Sequence, residues 1–213
     1  MVVENPLKTK TVRELGPVDI SSIKDEIINL SQEYWDIYDR IKPNKFGEFD
    51  TTKHIVFKFV ADFDKEFPDI VEFPVWADWK EKLEPIMEAV TKQYGYAENC
   101  FGKVMLARLK QGTEIKMHID RPLESAYPHK IHIPILTHPK AQFIVGDTSY
   151  YLETGQAYEV NNCERHAVIN GGDCDRIHLI FTYYDRKMKE YPVEDVEALN
   201  QRLKEQIMAA GIY

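Results

Sequence analysis

The chain has 213 residues, 44% hydrophobic and 12% aromatic, enough for one sizeable core, and it carries no low-complexity tract or internal repeat, which excludes a disordered chain or a solenoid. A formal charge of −8 and a pI near 5.4 disfavour a nucleic-acid backbone or an anionic membrane as the main partner. No stretch approaches the ~18 apolar residues of a membrane span, the start "MVVENPLKTK" lacks an apolar signal core, and Cys100, Cys163 and Cys174 show no C-x-x-C spacing, so a cytoplasmic protein is expected.

After a polar start, "DISSIKDEIINLSQEYWDIYDRI" places Ile23, Ile27, Leu30, Tyr34, Ile37 and Ile41 near a 3.6-residue period. This predicts one helix, with Ser22 and Asp25 as its capping box. "TKHIVFKFV" predicts a strand. Helical spacing returns through Trp76, Trp79, Leu83, Ile86, Val90 and Tyr94, with a kink or restart expected at Pro85.

From Phe101 the texture changes to short β-rich runs: "KVMLARL", "EIKMHID", "KIHIPIL", "AQFIVG", "SYYLE", "QAYEV", "HAVIN" and "RIHLIFTYY". Turns are expected at Gly112, Gly146, Gly155 and Gly171-Gly172. The tail returns to helix, with Val193, Val196, Leu199, Leu203 and Ile207 along one stripe. The predicted class is mainly β with flanking helices. It reads as a single domain over 1–213: helical and strand cladding over 1–100, a jelly-roll core over 101–186 and a helix over 187–213.

Period-2 alternation divides the faces of these strands. In "RIHLIFTYY" Ile177, Leu179, Phe181 and Tyr183 want cover, while Arg176, His178, Ile180 and Thr182 can line a cavity. In "KIHIPIL" the isoleucines separate from Lys130, His132 and Pro134, and in "HAVIN" His166, Val168 and Asn170 share one side.

A metal that must bind a bidentate cosubstrate and a third small molecule needs three protein ligands on one side and open positions on the other. Two imidazoles and a carboxylate do this for ferrous iron, and His118, Asp120 and His166 fit that pattern. A His and an Asp that merely satisfy each other at a strand end is the duller reading of "MHID". Arg176 strengthens the metal reading: it follows His166 by ten residues, across a Gly-Gly turn and on the next strand. Iron(II), one aspartate and one guanidinium together suit a dianionic dicarboxylate, chelated at one end and paired to arginine at the other.

"MHID", "HKIHIPI" and "RHAVINGGDCDRIHLIFTYYD" resemble the blocks of the aspartyl/asparaginyl β-hydroxylase family, iron(II)- and 2-oxoglutarate-dependent oxygenases on a double-stranded β-helix of the cupin type. The resemblance covers residues 101–186. It implies that His118, Asp120 and His166 hold Fe(II), that Arg176 pairs with the far carboxylate of 2-oxoglutarate, and that His132 lies beside the chelating end. Where the family has an arginine two positions before that histidine, this chain has Lys130, a departure that bears on the orientation of cosubstrate or substrate. The implied reaction consumes 2-oxoglutarate and O₂, releases succinate and CO₂, and hydroxylates an aliphatic carbon. Asp120 fills the position that a halide would need, which favours hydroxylation over halogenation.

Further pocket candidates are Arg121 and Tyr127, from the connection after the H-x-D strand, with Asn170 and His178. The prime substrate expected is a small molecule or peptide; neither its identity nor the oligomeric state is legible. Two other classes stay open: a non-catalytic jelly-roll module binding a metal and a small acid, and an isomerase-type enzyme on another divalent metal.

Overall fold

The computed structural model describes residues 8–43, 51–62, 69–120 and 127–185. The expected C-terminal helix over 187–213 lies outside them, as does Arg121.

The first long periodic stretch forms two helices, α1 (Ser21–Ile28) and α2 (Gln32–Arg40). The break has a local cause. Ser31 adopts an extended conformation and its hydroxyl accepts the Tyr34 N–H at 3.1 Å, starting a new helix, while the Asn29 amide donates to the Asp25 carbonyl at 2.7 Å and closes the old one. The expected Ser22–Asp25 box does not form: the N-cap of α1 is Ile20, and Asp19 accepts the Ser21 N–H instead. The change of direction takes Ile37 and Ile41 out of the apolar stripe and leaves them exposed, whereas Ile23, Ile27 and Trp35 are buried.

The third helix, α3 (Trp76–Thr91), continues through Pro85. A proline inside a helix costs about 3 kcal/mol. Burial of Trp76, Trp79, Leu83, Ile86, Met87 and Val90 along its inner face offsets this, at roughly 1.5–3 kcal/mol for each large apolar side chain.

Eleven strands are described: β1 (Val12–Pro17), β2 (Thr52–Asp62), β3 (Asp69–Glu72), β4 (Asn99–Leu109), β5 (Glu114–His118), β6 (His129–Leu136), β7 (Ala141–Val145), β8 (Thr148–Tyr150), β9 (Gln156–Val160), β10 (His166–Asn170) and β11 (Arg176–Asp185). They form two antiparallel sheets, one ordered β1-β9-β6-β11-β4-β2-β3 and one ordered β5-β10-β7-β8. This is the double-stranded β-helix, or jelly roll. The N-terminal half does more than clad the roll, since β1 extends its larger sheet at one edge and β2 and β3 extend it at the other. Gly112, Gly146 and Gly155 take positive φ in the tight connections, where a Cβ would be strained.

The central strands β6 and β11 of the larger sheet are buried on both faces. The sheet's outer face, with Ile131, Ile133, Ile135, Ile177, Leu179 and Phe181, packs under the helices in one apolar cluster. A second cluster, with Leu109, Ile115, Phe143 and Val168, lies between the sheets. Within the helix-side layer sits a buried carboxylate, Glu159, which accepts from the Thr9 N–H (3.1 Å), the Tyr94 hydroxyl (2.8 Å), His129 Nδ1 (2.8 Å) and the Arg13 guanidinium. Burial alone would raise its pKa, but His129, Arg13 and Tyr94 together hold it below the usual carboxylate range. This network fastens β1 and the chain after α3 onto β6 and β9.

Candidate active site

Antiparallel pairing of β5 with β10 places His118 directly opposite His166, with ring centroids 4.2 Å apart. Asp120 follows β5, and its Oδ1 lies 3.6 Å from His118 Nε2 and 3.7 Å from His166 Nε2. One ligand atom from each residue lies within 4.8 Å of the other two.

Backbone carbonyls orient both imidazoles. His118 Nδ1 lies 2.7 Å from the Lys116 oxygen and His166 Nδ1 lies 2.9 Å from the Glu164 oxygen. A carbonyl only accepts, so each Nδ1 carries the proton and each Nε2 presents a lone pair toward Asp120. Two imidazole lone pairs and a carboxylate converging this closely repel one another unless a cation sits among them. The donor set therefore fits a divalent metal held by two histidines and one carboxylate on one side.

The other carboxylate oxygen, Oδ2, is held by Lys130 Nζ at 2.5 Å and Asn162 Nδ2 at 3.0 Å. Burial would raise the Asp120 pKa, but the Lys130 charge outweighs it and keeps the group ionised well below its ordinary range. The contact with Asp120 uses one of the three donors of Lys130. Asn162 went unnoticed in the sequence because no local pattern marks it; its backbone also accepts the Asp120 N–H at 3.2 Å.

The three side chains open on a cavity of about 540 Å³, a size suited to a small molecule. Arg176 reaches into it from β11 and is 95% buried by its surroundings, with 5% relative exposure. Among the described residues no carboxylate lies within ion-pair distance of it. Its partner is His178 Nδ1, at 3.0 Å from Nη2, and burial pushes its pKa down to about 9. A buried guanidinium without an acid is costly in isolation and calls for an anionic partner. His132 shares the wall, and its Nε2 is buried without a hydrogen-bond partner among the described residues.

The cavity continues over the extended sheet. Register aligns His132 (β6), Ile180 (β11), Met105 (β4) and Val56 (β2) in one row across four neighbouring strands. At ~4.8 Å per strand this row spans roughly 14 Å. It forms an apolar floor leading away from the histidines. Gly102, three residues before Met105 on β4, matters beside this row, because a Cβ there would collide with the Tyr184 ring and crowd Thr182 Oγ1, both on the cavity wall.

The profile of the aspartyl/asparaginyl β-hydroxylase family matches residues 19–186. The chain belongs to this family. Its members' fold has wide structural company. A prolyl hydroxylase from Trichoplax adhaerens, solved with a hypoxia-inducible-factor peptide, superposes with a TM-score of 0.58 at 11% identity, covering 89% of this chain and 90% of that one. A 2OG-Fe(II) oxygenase-family oxidoreductase from Burkholderia pseudomallei gives 0.50 at 14% identity, covering 79% and 93%. The non-heme monooxygenase ThoJ, in its nickel complex, gives 0.52 at 11% identity, covering 85% and 76%. At these identities the likeness establishes the double-stranded β-helix. No curated protein matches by sequence. No described helix is long and apolar enough to cross a membrane.

Within this β-hydroxylase-family framework the remaining candidates separate. His178 is fully buried behind Arg176 and does not line the cavity. Asn170 is also displaced from the role expected for it. Its amide donates to the carbonyls of Leu109, Lys110 and Cys174 and locks the chain crossing between β4 and β11, away from the cavity wall. Tyr127 packs beside Ile119 and Cys163, outside the lining. Among the other histidines, His54 lines the cavity, while His129 belongs to the Glu159 network, where its Nε2 meets the Tyr96 hydroxyl at 2.6 Å.

Acid should destabilise the metal-free protein in two stages. Burial holds His132, His166 and His178 below their ordinary pKa, so the unfolded chain protonates first once the pH falls through about 6.5. His166, pushed down to about 4, alone removes about 2 kcal/mol between pH ~6.5 and ~5. Asp39, Asp120 and Glu159 are held low, so their contribution is complete above pH ~5 and is lost progressively below it. Urea titrations across this range should show a plateau above pH ~7 and a decline from ~6.5. Stability unchanged down to pH ~5 would refute the buried-neutral assignment of the histidines.

Proposed function

We propose that this protein is an Fe(II)- and 2-oxoglutarate-dependent dioxygenase that hydroxylates an aliphatic carbon of an amino acid, a protein side chain or a small metabolite. The observation that carries this reading is the meeting, in one cavity, of a His118–Asp120–His166 donor set with the buried Arg176, which has no acid within ion-pair distance among the described residues.

His118, Asp120 and His166 would hold the metal, while Lys130 and Asn162 fix the Asp120 oxygen facing away from it. Arg176 would take the far carboxylate of 2-oxoglutarate as a charge-assisted pair, and His132 would lie beside the other end. When bound, iron(II) supplies the oxidative chemistry: 2-oxoglutarate, O₂ and a C–H bond become succinate, CO₂ and an alcohol. The chain's part is to orient the reactants and exclude water. The prime substrate would lie over the apolar row that runs from His132 toward Val56.

The test is anaerobic binding followed by turnover. Purified protein with Fe(II) should bind 2-oxoglutarate and, on admission of O₂, form succinate slowly even without a prime substrate; mass spectrometry then identifies substrates that gain one oxygen atom. Binding without succinate formation from any candidate would point to a non-catalytic metal- and acid-binding module. Absence of binding would overturn both readings.

A further inference from the structure

Arg176, His178 and His132 share a single lone pair. Arg176 Nη2 lies 3.0 Å from His178 Nδ1, and His132 Nδ1 lies 3.4 Å from the same atom. A guanidinium has donors only, so His178 Nδ1 must be the acceptor, its imidazole is neutral and its proton sits on Nε2. His132 Nδ1 must in turn be protonated to approach that acceptor. Hydrogen-bond inventory alone thus sets both tautomers. The two imidazoles are nearly perpendicular, at 84°.

An acid at position 178 would orient Arg176 equally well but would neutralise it. A neutral imidazole orients the guanidinium and leaves its charge for an incoming anion. Both His178 and Arg176 are buried, and among the described residues Arg176 has no second polar partner to hold it in place.

We propose that His178 is a positioning residue: its Nδ1 lone pair fixes Arg176 and His132, the groups facing the two ends of a dicarboxylate, without touching the ligand. This rests on the reading of the cavity as a 2-oxoglutarate site. It differs from a substrate contact, which would need His178 on the cavity wall.

Three variants and one spectrum test it. His178→Leu removes the acceptor and should raise the anaerobic Kd and the KM for 2-oxoglutarate about 10- to 100-fold, with kcat at saturation changed less than about 3-fold. His178→Asn sets an amide oxygen near the place of Nδ1 and should restore most of the affinity. His178→Asp should bind 2-oxoglutarate no better than the leucine variant, because its carboxylate captures Arg176 internally. In the metal-free wild type, histidine ¹⁵N spectra should show His178 protonated on Nε2 and His132 on Nδ1. A role confined to packing predicts a lowered melting temperature in all three variants, kcat and KM moving together, and no rescue by asparagine. Wild-type affinity in a folded His178→Leu protein, or the opposite tautomers, would overturn this inference alone. Failure of the wild type to bind 2-oxoglutarate would overturn the site reading and this inference with it.

Discussion

Replacing Asp120 with alanine should abolish 2-oxoglutarate turnover and leave the protein unable to retain stoichiometric iron. In the proposed metal site Asp120 is the one anionic donor, and its Oδ1 stands within 3.7 Å of both imidazole nitrogens. Without it, two neutral lone pairs must hold a dication whose charge is otherwise balanced by Arg176-bound dianion alone. Replacing Asn162, which only steadies the far oxygen, should cost about 10- to 100-fold in metal affinity. The difference between the two variants separates a ligand from its support. Asp120→Ala also strands Lys130. Both side chains retain some exposure, 16% and 23%, so the loss of stability should stay below the ~3–5 kcal/mol of a fully buried broken pair. Metal content after anaerobic reconstitution, read against thermal melting, decides the matter. Full iron occupancy in Asp120→Ala would remove this residue from the metal site.

Arg176→Met should change stability and ligand binding in opposite directions. The guanidinium is buried with no described acid beside it, so the metal-free protein bears its desolvation unrepaid, and an apolar side chain of similar length should raise the melting temperature. Removing one partner of a buried charge pair typically loses about 2–5 kcal/mol of binding, which corresponds to a rise of about 30-fold to several thousand-fold in the Kd for 2-oxoglutarate. Differential scanning with and without 2-oxoglutarate reads both effects in one experiment. The wild type should melt lower alone and higher with ligand, and the variant should respond little. A variant that melts lower yet keeps its ligand response would show that Arg176 serves the fold.

Much of this site could be read from residue order because its chemistry is concentrated on strands that alternate cleanly. The β11 faces separated in advance, and "MHID", with a histidine ten residues before an arginine, pointed to the His118, Asp120 and His166 side chains that meet at the cavity. What escaped the sequence depends on distant pairing. Asn162 meets Asp120 across 42 residues, and Thr9 and Arg13 meet Glu159 across about 150. The edge strands β1 and β3 are short and half exposed, so they show no apolar alternation to detect. Asn170 looked like a pocket residue because it shares a face with His166. The turn that follows supplies carbonyls closer than the cavity, and its amide goes to them. The α1–α2 break turned on one serine hydroxyl, a local competition that a periodicity count passes over.

Strand β11 is a wall with two tenants. Ile177, Leu179, Phe181 and Tyr183 anchor it to the helices while Arg176, Ile180 and Thr182 face the ligand space. Such a partition cannot flex toward one side without tearing packing on the other, so the Arg176 end of the cavity is inelastic. Freedom to accommodate new molecules then falls to the outlying apolar stretch over β2 and β4, where Val56 and Met105 line the cavity. Descendants of this chain can exchange what they bind by redrawing that margin while the histidine, aspartate and arginine end stays as it is.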